Sequence, residues 1–528
     1  MMRFCLLFLF LFAILFIFLS FDGYYFYDDT TYAHYAFYLS QGKLVLNEEI
    51  FSHRLGIIIP TALAYKLSGV NDISTIWISV VCTLICLYLI YFFLKKYDPK
   101  VAIWAMILSG LDFYTLFFSN KLYPDVSLTC MALLSAISLH QRNNQWGKPL
   151  LFCVANFWGF LCKETIVYLL PFYLLICIYD WRQKQHLLFW KRAFIIGFIL
   201  LAGYFGFYYL YTGNPLYRFQ IIQDGHYVAT YNYFHKPASA LIPRLTYEPV
   251  IMLIHSGMII CIVAALPFLF RMNFWNWSIW TDELFWSRLA FCGLCMFWGF
   301  TTSFKYYNPN ALFPRMILFL IPFFAIASAF ELSRLSAKKS FALAMIFLIV
   351  AAISWYTGVP NQAFQYGLLA IGWGFVGGLY QFTPSSFVLN KQLYLPLIAG
   401  LLLVHPVYSM LKPSESGYTA EKHLIQKYLS HPITATLVFT DNKLMNGVDF
   451  YYQFNKPTSI QFLPYEQLLE QPKQLTSSTE VFVLINSYSV EYFRLIGTPP
   501  PIYIDSPPVS WQLIANVGGL RLYKVPSI

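Results

Sequence analysis

Long apolar runs are the feature of this sequence that most constrains its fold. Most are about 17 to 25 residues long, enough for a helix to cross a hydrocarbon core of about 30 Å. The first run follows Arg3, and further runs lie at 73–94, 101–118, 125–139, 149–162, 164–179, 193–211, 246–270, 287–304, 312–332, 340–356, 362–381 and 393–410. The chain is 58% hydrophobic and only 11% charged. This pattern predicts an α-helical polytopic membrane protein with about 11 to 13 spans.

The distribution of lysine and arginine predicts how these spans are oriented. Sixteen cations fall in loops on the side of the N-terminus and ten on the opposite side, where the loops are longer. By the positive-inside rule the N-terminus is cytoplasmic, and an odd number of spans places the C-terminal segment outside. Because that segment balances nine cations with nine acids, the net charge of +10 belongs to the membrane part. We attribute this surplus to membrane topology and not to nucleic-acid binding.

The C-terminal segment, residues 412–528, differs from the rest in being polar and rich in proline. Its β-rich runs TATLVFT, TSIQFL, EVFVLIN, PIYID and LRLYKV alternate with helix-like stretches such as TAEKHLIQKYLS, which predicts a small extracytoplasmic α/β domain. The predicted organisation is a membrane domain, 1–411, with outer loops at 22–72 and 212–245, followed by the α/β domain.

Carboxylates stand at the outer ends of predicted spans. Asp28 and Asp29 precede a stretch with apolar residues at helical spacing as far as Leu39, which predicts an amphipathic helix along the membrane interface. The adjacent acids can cap that helix, since Asp is favoured at a helix N-terminus, or supply a general base and its neighbour. Asp125 opens another span directly after Pro124, and capping is again the alternative.

Cations accompany these acids on the predicted outer side. Lys163 and Glu164 interrupt an apolar stretch, where each charge costs about 2.5 to 3.5 kcal/mol at bilayer depth, so they face a cavity or a partner unless they form a tight turn. Lys305 and Arg315 end two consecutive spans, and contact with lipid headgroups is their alternative role. Jointly, such groups suit transfer from a phosphate ester: a carboxylate takes the proton of an acceptor hydroxyl, and cations stabilise the leaving phosphate.

Five segments, in this order, resemble a known family. They are DDTTYAHYA, SNKLYPDVSL, GFLCKETIVYLLP, YTGNPLYRF and FPRMILFLIPFFAIASA, within about the first 330 residues. They resemble the bacterial, dolichyl-phosphate-mannose-protein mannosyltransferase-like branch of the protein O-mannosyltransferase and lipid A aminoarabinose transferase superfamily, which has the GT-C membrane fold. The resemblance implies a hexosyl- or pentosyltransferase of the bacterial inner membrane. Such an enzyme moves a sugar from a polyprenyl-phosphate carrier to a hydroxyl or phosphate of a lipid, glycan or protein acceptor, with inversion.

The resemblance also implies roles for individual residues. Asp28 would activate the acceptor with support from Asp29, and Asp125 would be a second acid in contact with the acceptor. Lys163 and Arg315 look like ligands of the donor phosphate. Weaker candidates are Glu164, Lys121, Arg54 and Lys305. A divalent metal ion, in relatives that use one, would be held by Asp28 or Asp125, and no other cofactor is implied.

Two departures from the family pattern concern contacts with the acceptor. The chain reads SHRLGIIIPTAL where many relatives have a Pro-Pro-Leu-Tyr type of stretch, and Lys121 stands where Arg is more usual. The outer loop from Thr212 to Arg244, with His226 and His235, closes over substrate in such enzymes.

Two other classes of protein compete with a transferase. A transporter or lipid flippase would show symmetry between its halves, broken helices and ionisable groups near the membrane midplane, whereas here the charges cluster at outer span ends. A structural protein would use its outer domain to bind partners in the cell envelope, with the charged residues as caps and anchors.

Overall fold

The computed structural model describes residues 2–24, 28–224, 233, 236–382, 394–412, 417–430, 432, 434–468, 479–495, 497–498 and 500–526. The chain divides into two compact units. A membrane unit comprises Met1–Leu19, Leu46–Ile57 and Ile78–Leu411, and an α/β unit comprises Ser20–Val45, Ile58–Trp77 and Lys412–Ile528. The α/β unit therefore takes in most of residues 22–72, predicted to be an outer loop, as well as the C-terminal segment.

The helices of the first 411 residues follow the apolar runs closely. They are α1 Met2–Leu19, α2 Asp28–Ser40, α3 Leu55–Ser68, α4 Asp72–Leu94, α5 Pro99–Gly110, α6 Phe113–Ser119, α7 Pro124–His140, α8 Gly147–Cys162, α9 Leu170–Arg182, α10 Leu187–Thr212, α11 Tyr217–Asp224, α12 Leu241–Leu245, α13 Glu248–His255, α14 Ile259–Val263, α15 Met272–Trp275, α16 Asp282–Gly299, α17 Pro314–Ile317, α18 Ile321–Ser333, α19 Ala337–Tyr356, α20 Pro360–Phe382 and α21 Tyr394–Leu411. Short 3₁₀ segments at Ile50–His53 and Glu164–Leu169 adjoin α3 and α9.

Seven of the described helical segments are long and apolar enough to cross a membrane, and two bent helix pairs raise the number to nine if each pair is one span. Shorter apolar helices at Leu55–Ser68, Pro124–His140 and Gly147–Cys162 correspond to further apolar stretches. Central and peripheral helices differ in burial. In the 18-residue apolar stretch of Pro314–Ser333, 83% of the residues are buried, whereas in that of Leu187–Thr212 only 17% are buried. Apolar side chains exposed along a helix are expected where lipid is the solvent. The prediction of a multi-pass membrane protein is confirmed.

Two predicted spans are bent, and their sequences explain why. The run at 101–118 turns by 60° between α5 and α6, where the Asp112 side chain accepts a hydrogen bond from Thr115 N and starts a new helix. The run at 246–270 turns by 111° after α13, where Gly257 has a φ of +79°. An N-cap aspartate and a glycine in the left-handed region are the residues expected at such breaks.

The α/β unit contains a five-stranded sheet in the order β2-β1-β3-β5-β4. Its strands are β1 Thr436–Thr440, β2 Ile460–Pro464, β3 Glu480–Asn486, β4 Gln512–Val517 and β5 Leu520–Val525. Its C-terminal helices are α22 Tyr418–Leu424, α23 Asn442–Tyr451, α24 Ser487–Leu495 and α25 Ile502–Asp505. Both β2 and β3 pair with β1 in parallel, and β3-β5-β4 is antiparallel. The predicted α/β character is confirmed.

Two details of this unit differ from the prediction. The run PIYID, predicted as a strand, forms helix α25. Pro500 and Pro501 precede it and lack the N–H groups that a sheet ladder requires, whereas a proline fits the start of a helix. Strand β4 was not predicted because its residues are largely exposed and show no clear apolar alternation.

Candidate active site

The predicted acidic pair begins helix α2, in the α/β unit. Asp28 is partly exposed, whereas Asp29 is fully buried and accepts a hydrogen bond from Thr30 N at 2.9 Å. Both acids lie in the first turn, where the helix dipole favours negative charge. This position agrees with capping, and Asp28 is the more exposed of the two acids. Further along the helix, the Phe37 ring stacks on Phe454 at 4.7 Å.

In the membrane unit, Asp125 and Lys163 form a buried ion pair. Asp125 is in the first turn of α7, and Lys163 stands in extended conformation at the end of α8. Lys163 Nζ donates to Asp125 Oδ1 at 2.6 Å and also contacts Met316 Sδ at 2.9 Å. Asp125 Oδ2 is buried and has no hydrogen-bond partner in the described part of the chain. The pair brings one predicted acid and one predicted phosphate ligand together.

Glu164, the next residue, lies between two guanidinium groups. Arg54 forms an ion pair with Glu164 Oε2, while Arg218 donates to Oε1 from Nε at 3.0 Å and from Nη2 at 2.5 Å. The geometry depends on Gly56, because a Cβ there would lie 2.6 Å from the backbone N of Cys162. Only glycine allows α3 to approach the end of α8 closely enough for this contact.

Arg315 lies beside the residues that precede Asp125. It is in the short helix α17, and its guanidinium lies 4.9 Å from the centre of the Tyr123 ring. Lys163 is within electrostatic range of Arg315 and Arg54 as well as Asp125. The group defined by Arg54, Lys163, Arg218 and Arg315 with Asp125 and Glu164, here called the cationic cluster, has four basic and two acidic side chains. Its formal charge is therefore positive in surroundings that are largely buried.

The remaining weaker candidates lie outside this cluster. Lys305 is exposed and pairs with Asp224 at 2.8 Å. Lys121 is buried, and its ammonium lies 5.3 Å from the centre of the Phe117 ring. His226 and His235 of the predicted closing loop lie outside the described residues.

Sequence reasoning missed Arg218 and His53. Arg218 lies in the quoted YTGNPLYRF segment, and an arginine after a long apolar run was the available signal. His53 precedes Arg54 and is fully buried, with Nδ1 at 3.0 Å from the Tyr208 hydroxyl and Nε2 at 2.9 Å from Asn47 O. Burial lowers the pKa of His53 to about 4, and the positive charges of Arg218 and Arg54 act in the same direction. His53 is therefore neutral at physiological pH and adds no charge to the cluster.

The predicted metal ligands do not form a recognisable metal site. Within the described ranges, no group of three or more His, Cys, Asp or Glu side chains could hold a metal ion. Asp125, one of the two carboxylates predicted to hold a metal ion if one is used, accepts a hydrogen bond from Lys163 Nζ on Oδ1.

Comparison with known proteins agrees with this architecture. Residues 58–205 match the family model of dolichyl-phosphate-mannose-protein mannosyltransferases. No curated protein sequence matches the chain significantly. The crystal structure of ArnT from Cupriavidus metallidurans in the apo state has a similar fold, with a TM-score of 0.59, 11% identity and coverage of 97% of this chain and 96% of that chain. The same protein bound to undecaprenyl phosphate gives a TM-score of 0.57 and 13% identity, with the same coverage.

The range matched by the family model includes Asp125, Lys163 and Glu164. The structural match extends over nearly the whole chain. The resemblance noted from five sequence segments is thus confirmed by two independent comparisons. The chain therefore has an ArnT-like membrane fold over nearly its whole length, and its residues 58–205 are similar to the dolichyl-phosphate-mannose-protein mannosyltransferase family.

Proposed function

We propose that this protein is an integral membrane glycosyltransferase that moves a hexose or pentose from a polyprenyl-phosphate carrier to a hydroxyl or phosphate acceptor. The observation that carries the proposal is the cationic cluster, in which the three basic side chains Arg54, Lys163 and Arg218 pair with only two acids, and Arg315 lies nearby against Tyr123. A buried excess of positive charge is costly unless an anion joins it. A polyprenyl phosphate is a suitable anion, because its tail stays in the bilayer while its phosphate reaches the helix ends.

The cluster supports a division of roles within the donor site. Glu164 holds Arg54 and Arg218 in place through three hydrogen bonds. Lys163 is oriented by Asp125, whose second oxygen is buried and makes no hydrogen bond within the described residues. Preorganised cations stabilise the charge that develops on a leaving phosphate without further reorganisation. The ArnT structure with undecaprenyl phosphate supports this donor class, since that protein has the same fold.

The acceptor side of the reaction is assigned to Asp28. As the accessible member of the acidic pair, it takes the proton from an acceptor hydroxyl, while the buried Asp29 supports it. The hydroxyl oxygen forms a bond to the anomeric carbon as the bond to the phosphate oxygen breaks. One displacement without a covalent intermediate gives inversion. We place this reaction on the outer face of a bacterial inner membrane, with the N-terminus cytoplasmic and the C-terminal segment outside.

Sugar transfer by the purified protein in detergent tests the proposal. The full chain is incubated with polyprenyl-phosphate sugars and candidate lipid, glycan and protein acceptors, and products are identified by mass. Asp28→Asn is expected to lower kcat at least about 100-fold, the usual contribution of a general base. Asp505→Asn, which removes the partner of the exposed Arg494, is the control and is expected to retain activity. Full activity of Asp28→Asn would contradict the base assignment.

A flippase remains the second candidate, because the two bent helix pairs are the kind of broken helix that transporters use. The same assay separates the two functions. A flippase moves the carrier between leaflets of a vesicle without forming a new glycosidic bond, whereas a transferase forms that bond in detergent, where no leaflets exist. Product formed in detergent therefore rejects the flippase as the sole function.

A further inference from the structure

A group of hydrogen-bonded residues lies at the start of helix α4, within the α/β unit. It consists of Asp72 with Tyr24, Tyr418 and Lys422 and is here called the polar lock. The Tyr418 hydroxyl donates to Asp72 Oδ1 at 2.6 Å, and Lys422 Nζ donates to Oδ2 at 2.7 Å. The Tyr24 hydroxyl donates to the backbone oxygen of Asp72 at 3.2 Å. Both carboxylate oxygens and the main chain of Asp72 are thus engaged by residues that are distant in sequence.

The segment before the acidic pair is fitted to the same tyrosine. Gly23 has a φ of +92°, and a Cβ at this position would lie 2.0 Å from Cγ of Tyr418. Any other residue would displace the Tyr418 ring. Tyr24 is fully buried, with its ring edge-on to Tyr418 at 5.3 Å and to Phe450 at 5.1 Å. The chain is therefore fixed four positions before Asp28.

Helix α2 is held along its length as well. The rings of His34 and Phe37 lie 5.4 and 4.7 Å from that of Phe454, which follows α23. Asp29 is fully buried and lies within electrostatic range of both Tyr24 and Tyr418. The buried member of the acidic pair is thus near enough to Tyr24 and Tyr418 to interact with them electrostatically.

We propose that Tyr418 and Asp72 are positioning residues for the acidic pair, so that the C-terminal residues set the geometry of the reaction without touching substrate. The inference rests on the proposed function, in which Asp28 is the base. Proton transfer requires the base within about 3 Å of the acceptor hydroxyl, and small displacements of a reacting group are costly in rate. Tyr418 fixes Gly23 and Tyr24 before the pair, and Asp72 fixes Tyr418.

The Tyr418 hydroxyl is suited to donate this hydrogen bond at all times, because it does not ionise readily. Burial raises the pKa of its hydroxyl well above the usual value, and the negative charge of Asp72 adds to this effect. The hydroxyl therefore stays protonated and remains a donor at physiological pH. Removing it with Tyr418→Phe leaves the ring that packs on Gly23 in place.

The test combines kinetics with hydrogen exchange on the full-length protein. Tyr418→Phe and Asp72→Asn are each expected to lower kcat about tenfold or more, with the donor KM and the melting temperature nearly unchanged. Backbone amides of residues 28–40 are expected to exchange faster. The double variant should be no worse than the worse single variant, because both act through one contact. Tyr492→Phe, at an exposed position of the same unit, is the matched control.

Three results would overturn the positioning role: wild-type kcat in Tyr418→Phe, a loss of activity that follows the loss of folded protein, or unchanged exchange in residues 28–40. Failure of the proposed function is distinguishable from these. If the wild-type protein transfers no sugar, the base assignment fails, whereas the exchange measurement still decides whether Tyr418 and Asp72 hold helix α2 in place.

Discussion

At the scale of single residues, the cationic cluster shows how one carboxylate organises two arginines. Glu164 accepts hydrogen bonds from both Arg54 and Arg218, and the Arg218 side chain is only 1% exposed. Removing one member of a buried ion pair leaves an uncompensated charge. The acid at Glu164 is thus required for the folded state to tolerate two neighbouring guanidiniums.

We expect Glu164→Gln to destabilise the protein by about 3 kcal/mol, within the range for broken buried pairs. The melting temperature in detergent measures the effect. An added polyprenyl phosphate should restore more stability to this variant than to the wild type, since it supplies the missing negative charge. Glu480→Gln, which breaks the exposed pair with Lys524, is the control and should change stability by less than about 1 kcal/mol. Equal melting temperatures for the two variants would contradict the structural role of Glu164.

The same residues show what sequence can and cannot predict about the site. Asp125 and Lys163 were predicted independently from span ends and prove to form an ion pair. Lys305, predicted on the same grounds, instead pairs with the surface residue Asp224. Position at a span end is visible in sequence, but the direction of a long side chain is not. Arg218 was missed because its partner Glu164 is distant in sequence.

At the scale of secondary-structure elements, apolar length predicted where helices lie but not where they bend. The bend in the run at 246–270 depends on Gly257, whose φ of +79° other residues adopt only with strain. In the sequence, a glycine inside a long apolar run is as compatible with the interior of a straight helix as with a bend. Gly367 is such a case, because it lies within the uninterrupted helix α20. The tertiary structure, not the residue type, separates the two positions.

Alanine substitutions at these two glycines are expected to act in opposite directions. Gly257→Ala should destabilise the protein by about 1 kcal/mol, because the left-handed conformation crowds a Cβ. Its nearest neighbour, Gln362 Oε1, would lie at 3.5 Å, an ordinary contact, so the cost comes from the backbone. Gly367→Ala should stabilise it by about 0.5 to 1 kcal/mol, since no neighbour lies within 4 Å and alanine is the better helix former. Melting temperatures that shift in the same direction would count against the bend.

At the scale of the whole molecule, the two compact units bury different chemistry. The membrane unit leaves large apolar side chains exposed on helices such as α10, where Leu210 is 84% exposed. The α/β unit instead buries apolar side chains between its sheet and helices, together with the acids Glu421 and Asp441. The apolar runs of the first unit were readable from sequence. Residues 20–45 and 58–77 were not assigned to the second unit, because their contacts with the C-terminal residues are made across several hundred positions.

The buried acid Glu421 should make the α/β unit sensitive to pH. Its Oε2 accepts a hydrogen bond from the Tyr451 hydroxyl and its Oε1 one from Asn486 Nδ2 at 2.5 Å. Burial raises the pKa of Glu421 to about 8, with a further contribution from the negative charge of Asp441, while Lys443 opposes the shift. Between its unfolded value of 4.5 and about 8, the folded state holds a proton that the unfolded state has released. Stability is therefore present at low pH and falls as pH rises through this window.

Hydrogen exchange of strands β1 and β3 in the full-length protein measures this effect. Protection of these strands should decrease from pH 6 to pH 8.5, after correction for the intrinsic pH dependence of exchange, by at most about 1.4 kcal/mol per pH unit. Glu421→Gln should flatten the dependence, because the amide cannot ionise and both neighbours can reorient their hydrogen bonds. Asp505→Asn, which changes an exposed acid of the same unit, should leave it unaltered. A dependence that persists in Glu421→Gln would assign the titration to another group, with Asp441 the next buried acid in the cluster.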